Sequence, residues 1–178
     1  MNKILSVLRT ANYVKLVFYY IFINIFCFAV HAQIPPLISP QKIMVSTTTE
    51  LIAAINKANK NGHTEITIQN GRYQLSSTIQ ILKPYISLVS VDKKPSNTQI
   101  VGIGMRQTKS ADNILRVAAP YFTLDGITLE QSPNHIIQIA GESNADFPVL
   151  RNCILKDSYE QLLKVSYNRN TGIASDGG

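Results

Sequence analysis

Short runs that alternate apolar and polar residues fill the chain after residue 62, and two of them match at a fixed spacing. The run 123–132 aligns without a gap with the run 149–158, 26 residues further on. The same register continues as 136–139 aligned with 162–165. A repeat of this length, rich in short β-prone runs, is typical of coils that stack turn on turn. The pattern therefore predicts strands that pair between successive repeats.

Two earlier matches extend this repeat towards the N-terminus. Residues 84–88 align with 120–124, and residues 113–118 align with 135–140, so the spacings are 36 and 22. Loops can vary in length while strands stay in register, so unequal spacing is expected. Three short strands per repeat, each stacked on its counterpart, predict a parallel β-helix. The predicted inward columns are Leu88/Leu124/Leu150, Ile127/Cys153, Leu129/Leu155, Leu115/Ile137/Leu163 and Val117/Ile139/Val165.

The recurring Asp125-Gly126 and Arg151-Asn152 predict a bend between strands, because Gly and Asn adopt positive φ most easily. One earlier segment has helical spacing instead. Its apolar residues are Leu51, Ile52, Ile55 and Ala58. Thr49 is the predicted N-cap, and Asn61-Gly62 is the predicted left-handed stop. This short amphipathic helix would cover the apolar surface and strand edges that the first repeat leaves open.

The first 32 residues have the order of a secretory signal peptide. Lys3, Arg9 and Lys15 precede an apolar stretch over 16–30, and cleavage is expected after Ala32. A retained anchor is the alternative, but the stretch of roughly 15 residues is shorter than the ~20 that cross a bilayer. We therefore predict a secreted or periplasmic protein with no membrane attachment after cleavage.

Cleavage also changes the charge and the cysteine content. The net charge falls from +6 to +3, which is a weak basis for nucleic-acid binding but is compatible with an acidic polysaccharide. Cys153 is then the remaining cysteine, and it is predicted to be a small buried apolar side chain without a disulfide.

Residues 33–44 contain Pro35, Pro36 and Pro40 and predict an extended linker. Residues 45–178 form the predicted β-helix domain.

The repeat places Arg116, Gln138 and Lys164 at one register of three successive strands, between inward-facing neighbours. They predict an outward polar column that could bind an anionic sugar chain through charge-assisted hydrogen bonds. The alternative is that outward strand residues are polar simply because they face water.

Other residues with chemical potential give weaker signals. Asp125, Glu142 and Asp146 are acids in loops or turns that could contribute to a calcium site, but they form no motif, so we predict no metal or cofactor. His63 and His135 are isolated and are predicted to be surface residues. No residue is predicted to be catalytic.

Several segments together resemble the start of a known group of proteins. These are the helix at 49–55, the run Glu65-Ile66-Thr67-Ile68-Gln69-Asn70-Gly71-Arg72-Tyr73, residues 121–129 and residues 150–155. They are similar to the secreted right-handed parallel β-helix proteins of the pectate-lyase-like superfamily, with an opening like that of the alginate lyase and chondroitinase B group. The resemblance implies an all-β fold: a right-handed parallel β-helix of about three to four rungs with a short N-terminal capping α-helix. The family's catalytic residues lie mostly on later rungs, so none is assigned here.

Three functions remain open at this point. The chain could be the N-terminal portion of a lyase-like enzyme that acts on uronate-type glycans, with the chain itself inactive. It could be a non-catalytic cell-surface or carbohydrate-binding module, or a structural repeat without a ligand. No apolar cap follows Gly172, and solenoids need capped ends. We therefore expect a piece of a longer protein, with an exposed last rung that is able to self-associate.

Overall fold

The computed structural model describes residues 39–106 and 113–177. Their regular structure is mostly β and consists of three parallel sheets, one α-helix and one short 3₁₀ helix at Gly141–Ser143. Sheet 1 contains, in order, β1 (Gln41–Val45), β2 (Thr64–Ile68), β5 (Ile86–Ser90), β8 (Thr123–Asp125) and β11 (Val149–Arg151). Sheet 2 contains β3 (Gly71–Gln74), β6 (Thr98–Val101), β9 (Thr128–Ser132) and β12 (Ile154–Ser158). Sheet 3 contains β4 (Ile79–Ile81), β7 (Asn113–Val117), β10 (His135–Ala140) and β13 (Leu163–Ser166).

The strand register confirms the predicted stacking of equivalent side chains. Leu124 pairs with Leu88 on one side and with Leu150 on the other. The remaining strand columns confirmed in this way are Leu129/Leu155, Leu115/Ile137/Leu163 and Val117/Ile139/Val165. Because the chain visits the three sheets in turn and pairs each strand with its counterpart in the next repeat, the arrangement is compatible with an all-β parallel solenoid.

The predicted bend between sheet 1 and sheet 2 is also confirmed. Gly126 has a φ of 75°, and Asn152, its equivalent in the next repeat, has a φ of 51°. Cys153 follows this bend and is only partly buried against the core, whereas the equivalent Ile127 is fully buried. Burial raises the pKa of the Cys153 thiol, and its Sγ donates to the carbonyl oxygen of Arg151 at 3.0 Å.

Helix α1 spans Thr48–Asn61, and its N-cap is Thr47, so the predicted cap at Thr49 is wrong. The Thr47 hydroxyl oxygen accepts from the backbone N–H of Glu50 at 3.2 Å, while the Glu50 carboxylate accepts from the N–H of Ser46 at 2.8 Å. Three consecutive threonines offer similar caps, and the reach of Glu50 back to Ser46 selects the first. At the other end the helix stops at Gly62 as predicted, and the Gly62 N–H donates to Ala58 O; its φ of 68° and ψ of −163° differ from the left-handed conformation that the sequence predicted.

The apolar face of α1 packs onto the core at the β1 and β2 end of the molecule. Leu51, Ala54, Ile55 and Ala58 are buried there. Strand β1, which pairs with β2, occupies the last part of the segment that the sequence assigned to a linker. Its first residues, Gln41 and Lys42, are exposed, which explains the weak strand signal. Residues 1–38, with the predicted signal peptide and the rest of that linker, lie outside the described residues.

No helix in the two described ranges is long and apolar enough to cross a membrane.

Candidate functional site

Four polar side chains on sheet 3, one from each strand, form a single column. Arg116 pairs in register with Gln138, and Gln138 pairs with Lys164, so the structure brings the three predicted residues together. Gln80 extends the column on β4, where it pairs with Arg116. Neighbouring members lie one strand spacing apart, about 4.8 Å. We call Gln80, Arg116, Gln138 and Lys164 the polar stripe.

A hydrogen-bonded network fixes the middle of the polar stripe. The Arg116 Nη2 atom lies 2.9 Å from Oε1 of Glu142, in the 3₁₀ helix after β10. The Ser166 hydroxyl donates to the other Glu142 oxygen at 2.5 Å, and Gln138 Nε2 donates to Ser166 Oγ at 3.3 Å. Burial acts to raise the pKa of Glu142, but the bonds from Ser166 and Arg116 outweigh it and lower that pKa. Glu142 is therefore ionised at neutral pH and offsets the charge of Arg116.

Lys164 stands apart from this network. It is exposed at the β13 end of the polar stripe, and it forms no ion pair with any residue in the described ranges. Its ammonium group is therefore the cation of the stripe that is most open to an anionic ligand. Arg116 can still offer its remaining N–H groups, because one of its two terminal nitrogens makes the contact with Glu142.

His135 is not the surface residue that the sequence predicted. It lies inside β10, pairs with Asn113, and is 2% exposed. Its Nδ1 atom accepts from the N–H of Gln161 at 3.4 Å, which ties the turn between β12 and β13 to β10. Burial lowers the pKa of His135, and the nearby charge of Lys164 lowers it further, so the ring is neutral at pH 7. The surface prediction for His135 was wrong because His135 lies two residues before Ile137 on the same strand, so both side chains point inwards.

The three loop acids do not come together. Asp125 is buried and accepts from Arg151 Nε at 2.9 Å and from Asn152 Nδ2 at 2.8 Å. Glu142 pairs with Arg116, and Asp146 accepts from the N–H of Asp176 at 2.9 Å. Within the described ranges no three His, Cys, Asp or Glu side chains converge as metal ligands would.

A second ionic cluster, on the outer face of sheet 2, was missed by the sequence analysis. The Glu130 carboxylate lies 2.6 Å from Nη1 of Arg72 and 2.7 Å from Nζ of Lys156. The bond from Lys156 lowers the pKa of Glu130, burial opposes that effect, and Arg72 lowers the pKa further. The 26-residue alignment places Lys156 opposite Glu130, but Arg72 is too distant in sequence to be paired in advance. Arg72 and Lys156 therefore both contact the Glu130 carboxylate.

Stacked aromatic rings line the corner at which sheet 3 leads into sheet 1. The stack runs His63, Tyr85, Tyr121 and Phe147, and we call it the aromatic ladder. Successive ring centroids lie 4.4, 4.5 and 5.1 Å apart, and the two tyrosine planes differ by 2°. All four residues have positive φ, between 42° and 59°. The repeated Pro84-Tyr85 and Pro120-Tyr121 pairs were the sequence signal for this stack. His63 and Phe147 do not follow a proline and could not be recognised in this way.

No protein-family model, curated protein or solved structure significantly matches this chain. Its function is therefore inferred from its own residues and their geometry.

Proposed function

We propose that this chain is an exported, right-handed parallel β-helix protein that binds uronate-type polysaccharides through the polar stripe of sheet 3. The observation that carries the proposal is the in-register row of amide and cationic side chains on four adjacent strands. Arg and Lys bind carboxylates through charge-assisted hydrogen bonds, and Gln amides can bind sugar hydroxyls. A polymer laid along the row would meet one such side chain at each strand.

The comparison of the two polar faces favours sheet 3 over sheet 2. On sheet 2, Arg72 and Lys156 both contact the buried Glu130, so an anionic ligand would have to compete with that carboxylate. On sheet 3, Arg116 has a partly exposed partner in Glu142, and Lys164 has no carboxylate partner in the described part of the chain. Each face has two cations and one carboxylate, and the polar stripe is the one in which a cation, Lys164, is free of a carboxylate contact within the described ranges.

A lyase of the pectate-lyase-like superfamily is the second candidate. The observation that favours it is the pair of cations on one face, since a uronate lyase must neutralise the substrate carboxylate before a base removes the adjacent proton. The described residues near the stripe supply no good base. Glu142 has a lowered pKa, which makes it a weak base, and His135 is buried. Binding without turnover is therefore the primary proposal.

The test is retention on polygalacturonate and alginate by affinity electrophoresis. The double variant Arg116→Ala/Lys164→Ala should bind at least about tenfold more weakly, because hydrogen bonds to charged groups contribute about 1.5–3 kcal/mol each. The matched control is Lys57→Ala/Lys60→Ala, which removes the same charge from the exposed side of α1. Retention of the wild type should fall as salt rises.

Unchanged retention of the stripe variant would remove the proposal, and so would an equal loss in the helix control. Turnover is measured separately from the ultraviolet absorbance of unsaturated uronates. Binding without such a product supports a carbohydrate-binding module. Product formation that the stripe variant loses would instead support the lyase.

A further inference from the structure

The aromatic ladder and the polar stripe both run in the direction in which the strands stack. Each strand of sheet 3 runs into the same corner, so Tyr85 follows Gln80 by five residues and Tyr121 follows Arg116 by five. The corners are stacked by backbone hydrogen bonds, from the N–H of Tyr85 to Pro120 O and from the N–H of Tyr121 to Asp146 O. The two rows of side chains are therefore parallel and are separated by five residues along the chain.

The corner does not itself require aromatic residues. A bulky residue at positive φ is strained, and the conformation is one that glycine adopts freely. Gly177 takes the next position, with a φ of 61° and Phe147 N–H donating to Asp176 O beside it. Positive φ also occurs at Lys93, Gln131 and Asp157, outside the ladder, so the conformation alone does not explain why four stacked positions are aromatic.

Stacking accounts for the rings but not for the hydroxyl groups of the tyrosines. In the ladder each ring lies nearly parallel to its neighbours, so the faces are covered and the rims face outwards. Tyr85 is 44% exposed and Tyr121 is 41% exposed. Neither phenol hydroxyl has a hydrogen-bond partner within the described ranges, and Phe147 shows that a ring without a hydroxyl also stacks here.

We infer that the hydroxyl groups of Tyr85 and Tyr121 form a second row of hydrogen-bonding groups for the same uronate polysaccharide, on the sheet 1 flank of the polar stripe. This inference rests on the proposed function. The phenol groups would bind sugar hydroxyls or ring oxygens, as donor and as acceptor, while the cations of the stripe bind carboxylates. Both faces of each tyrosine ring are covered by a neighbouring ring, which leaves the hydroxyl groups, and not the faces, for contact with a sugar.

The test compares the double variant Tyr85→Phe/Tyr121→Phe with the wild type on polygalacturonate. Both rings remain, so the temperature of thermal unfolding should stay unchanged. Affinity should fall about fivefold to tenfold, the expected effect of losing two neutral hydrogen bonds. Tyr159→Phe is the matched control, since Tyr159 is an exposed tyrosine that belongs to no part of the ladder, and its affinity should not change.

Unchanged affinity of the ladder variant, with weakened binding of Arg116→Ala/Lys164→Ala, would overturn this inference and leave the proposed function standing. Unchanged affinity of both would overturn the two together. An equal loss in the Tyr159→Phe control would also overturn the inference, because the effect would then not belong to the ladder.

Discussion

Strands β8, β9 and β10 carry the same apolar pattern as β11, β12 and β13, yet the two layers bury it to very different degrees. Ile137 is fully buried, and Leu163, its partner in register, is 44% exposed. Ile139 is 1% exposed, and its partner Val165 is 56% exposed. The layer of β8, β9 and β10 lies between two other layers of strands, whereas the layer of β11, β12 and β13 has a described layer on one side.

The difference shows that a repeat of this kind has no core of its own. The apolar pattern fixes which side chains point inwards and which strand each one pairs with. Burial is then supplied by the layers above and below, as expected for a solenoid. At the opposite end, α1 supplies that cover for the first strands. Equivalent residues in the two layers should therefore contribute unequally to stability.

The largest expected effect comes from truncating the same leucine in each layer. Leu124→Ala should lower the free energy of unfolding by about 3–5 kcal/mol, since it removes a fully buried side chain and leaves a cavity. Leu150→Ala should cost about 1 kcal/mol, because Leu150 is only partly buried and its site is open to water. Urea denaturation measures both. Similar losses would show that the second layer is covered in solution by something that binds there.

The bend between sheet 1 and sheet 2 gives a second matched pair. A Cβ added to Gly126 would lie 2.4 Å from the Lys93 Cα and 2.5 Å from the Ser90 Oγ, at a φ of 75°. Gly126→Ala should therefore cost about 3 kcal/mol, the range of a severe backbone and packing conflict.

Asn152 occupies the equivalent bend in the outer layer and already has a side chain. Asn152→Ala should cost about 1 kcal/mol, from the strain of a left-handed alanine and the lost bond to Asp125. Asn152→Gly is the control. Glycine adopts the left-handed conformation without strain, so this variant loses only the hydrogen bond to Asp125. Equal costs for Gly126→Ala and Asn152→Ala would mean that Lys93 and Ser90 move aside easily.

Much of the fold could be predicted from the sequence because it depends on local periodicity. The alternation of apolar residues set the columns through Leu124 and Ile137, and the Gly126/Asn152 repeat set a bend. The N-cap at Thr47 was missed since it depends on a side-chain contact between Glu50 and Ser46. Burial in the last layer could not be read from the pattern, because it depends on what lies beyond each strand.

The candidate site was predictable to the same extent. Register alone placed Arg116, Gln138 and Lys164 in a row. The partner of Arg116 is Glu142, which comes from the short 3₁₀ helix after β10, where no strand register applies. The aromatic ladder lies in corners, where the backbone has positive φ and the rings contact each other between repeats. Neither feature follows from the local alternation of apolar residues. The sequence showed only its two Pro-Tyr pairs.

The smallest expected difference between a variant and its matched control concerns an ion pair that joins the two layers. Asp125 on β8 pairs in register with Arg151 on β11, and its side chain is 1% exposed. Burial acts to raise the pKa of Asp125, but hydrogen bonds from Asn152 and Arg151 outweigh it, so that pKa is lowered. A lowered carboxyl pKa means that the native state holds the ionised form more strongly than the unfolded chain does, so the pair stabilises the fold above the unfolded pKa of about 3.9.

Asp125→Asn should therefore cost about 1–2 kcal/mol at pH 7, near the contribution of a hydrogen bond between charged groups. The difference from the wild type should shrink as the pH falls below about 4, through the lowered pKa of Asp125, where both proteins carry a neutral group. Urea denaturation at a series of pH values measures this difference, and the acid loss due to His135 cancels because both proteins share it. Asp176→Asn, at an exposed carboxylate, is the control for the loss of one negative charge, and at pH 7 it should cost less than Asp125→Asn. A difference that stayed constant down to pH 2 would show that Asp125 acts through packing and not through its charge.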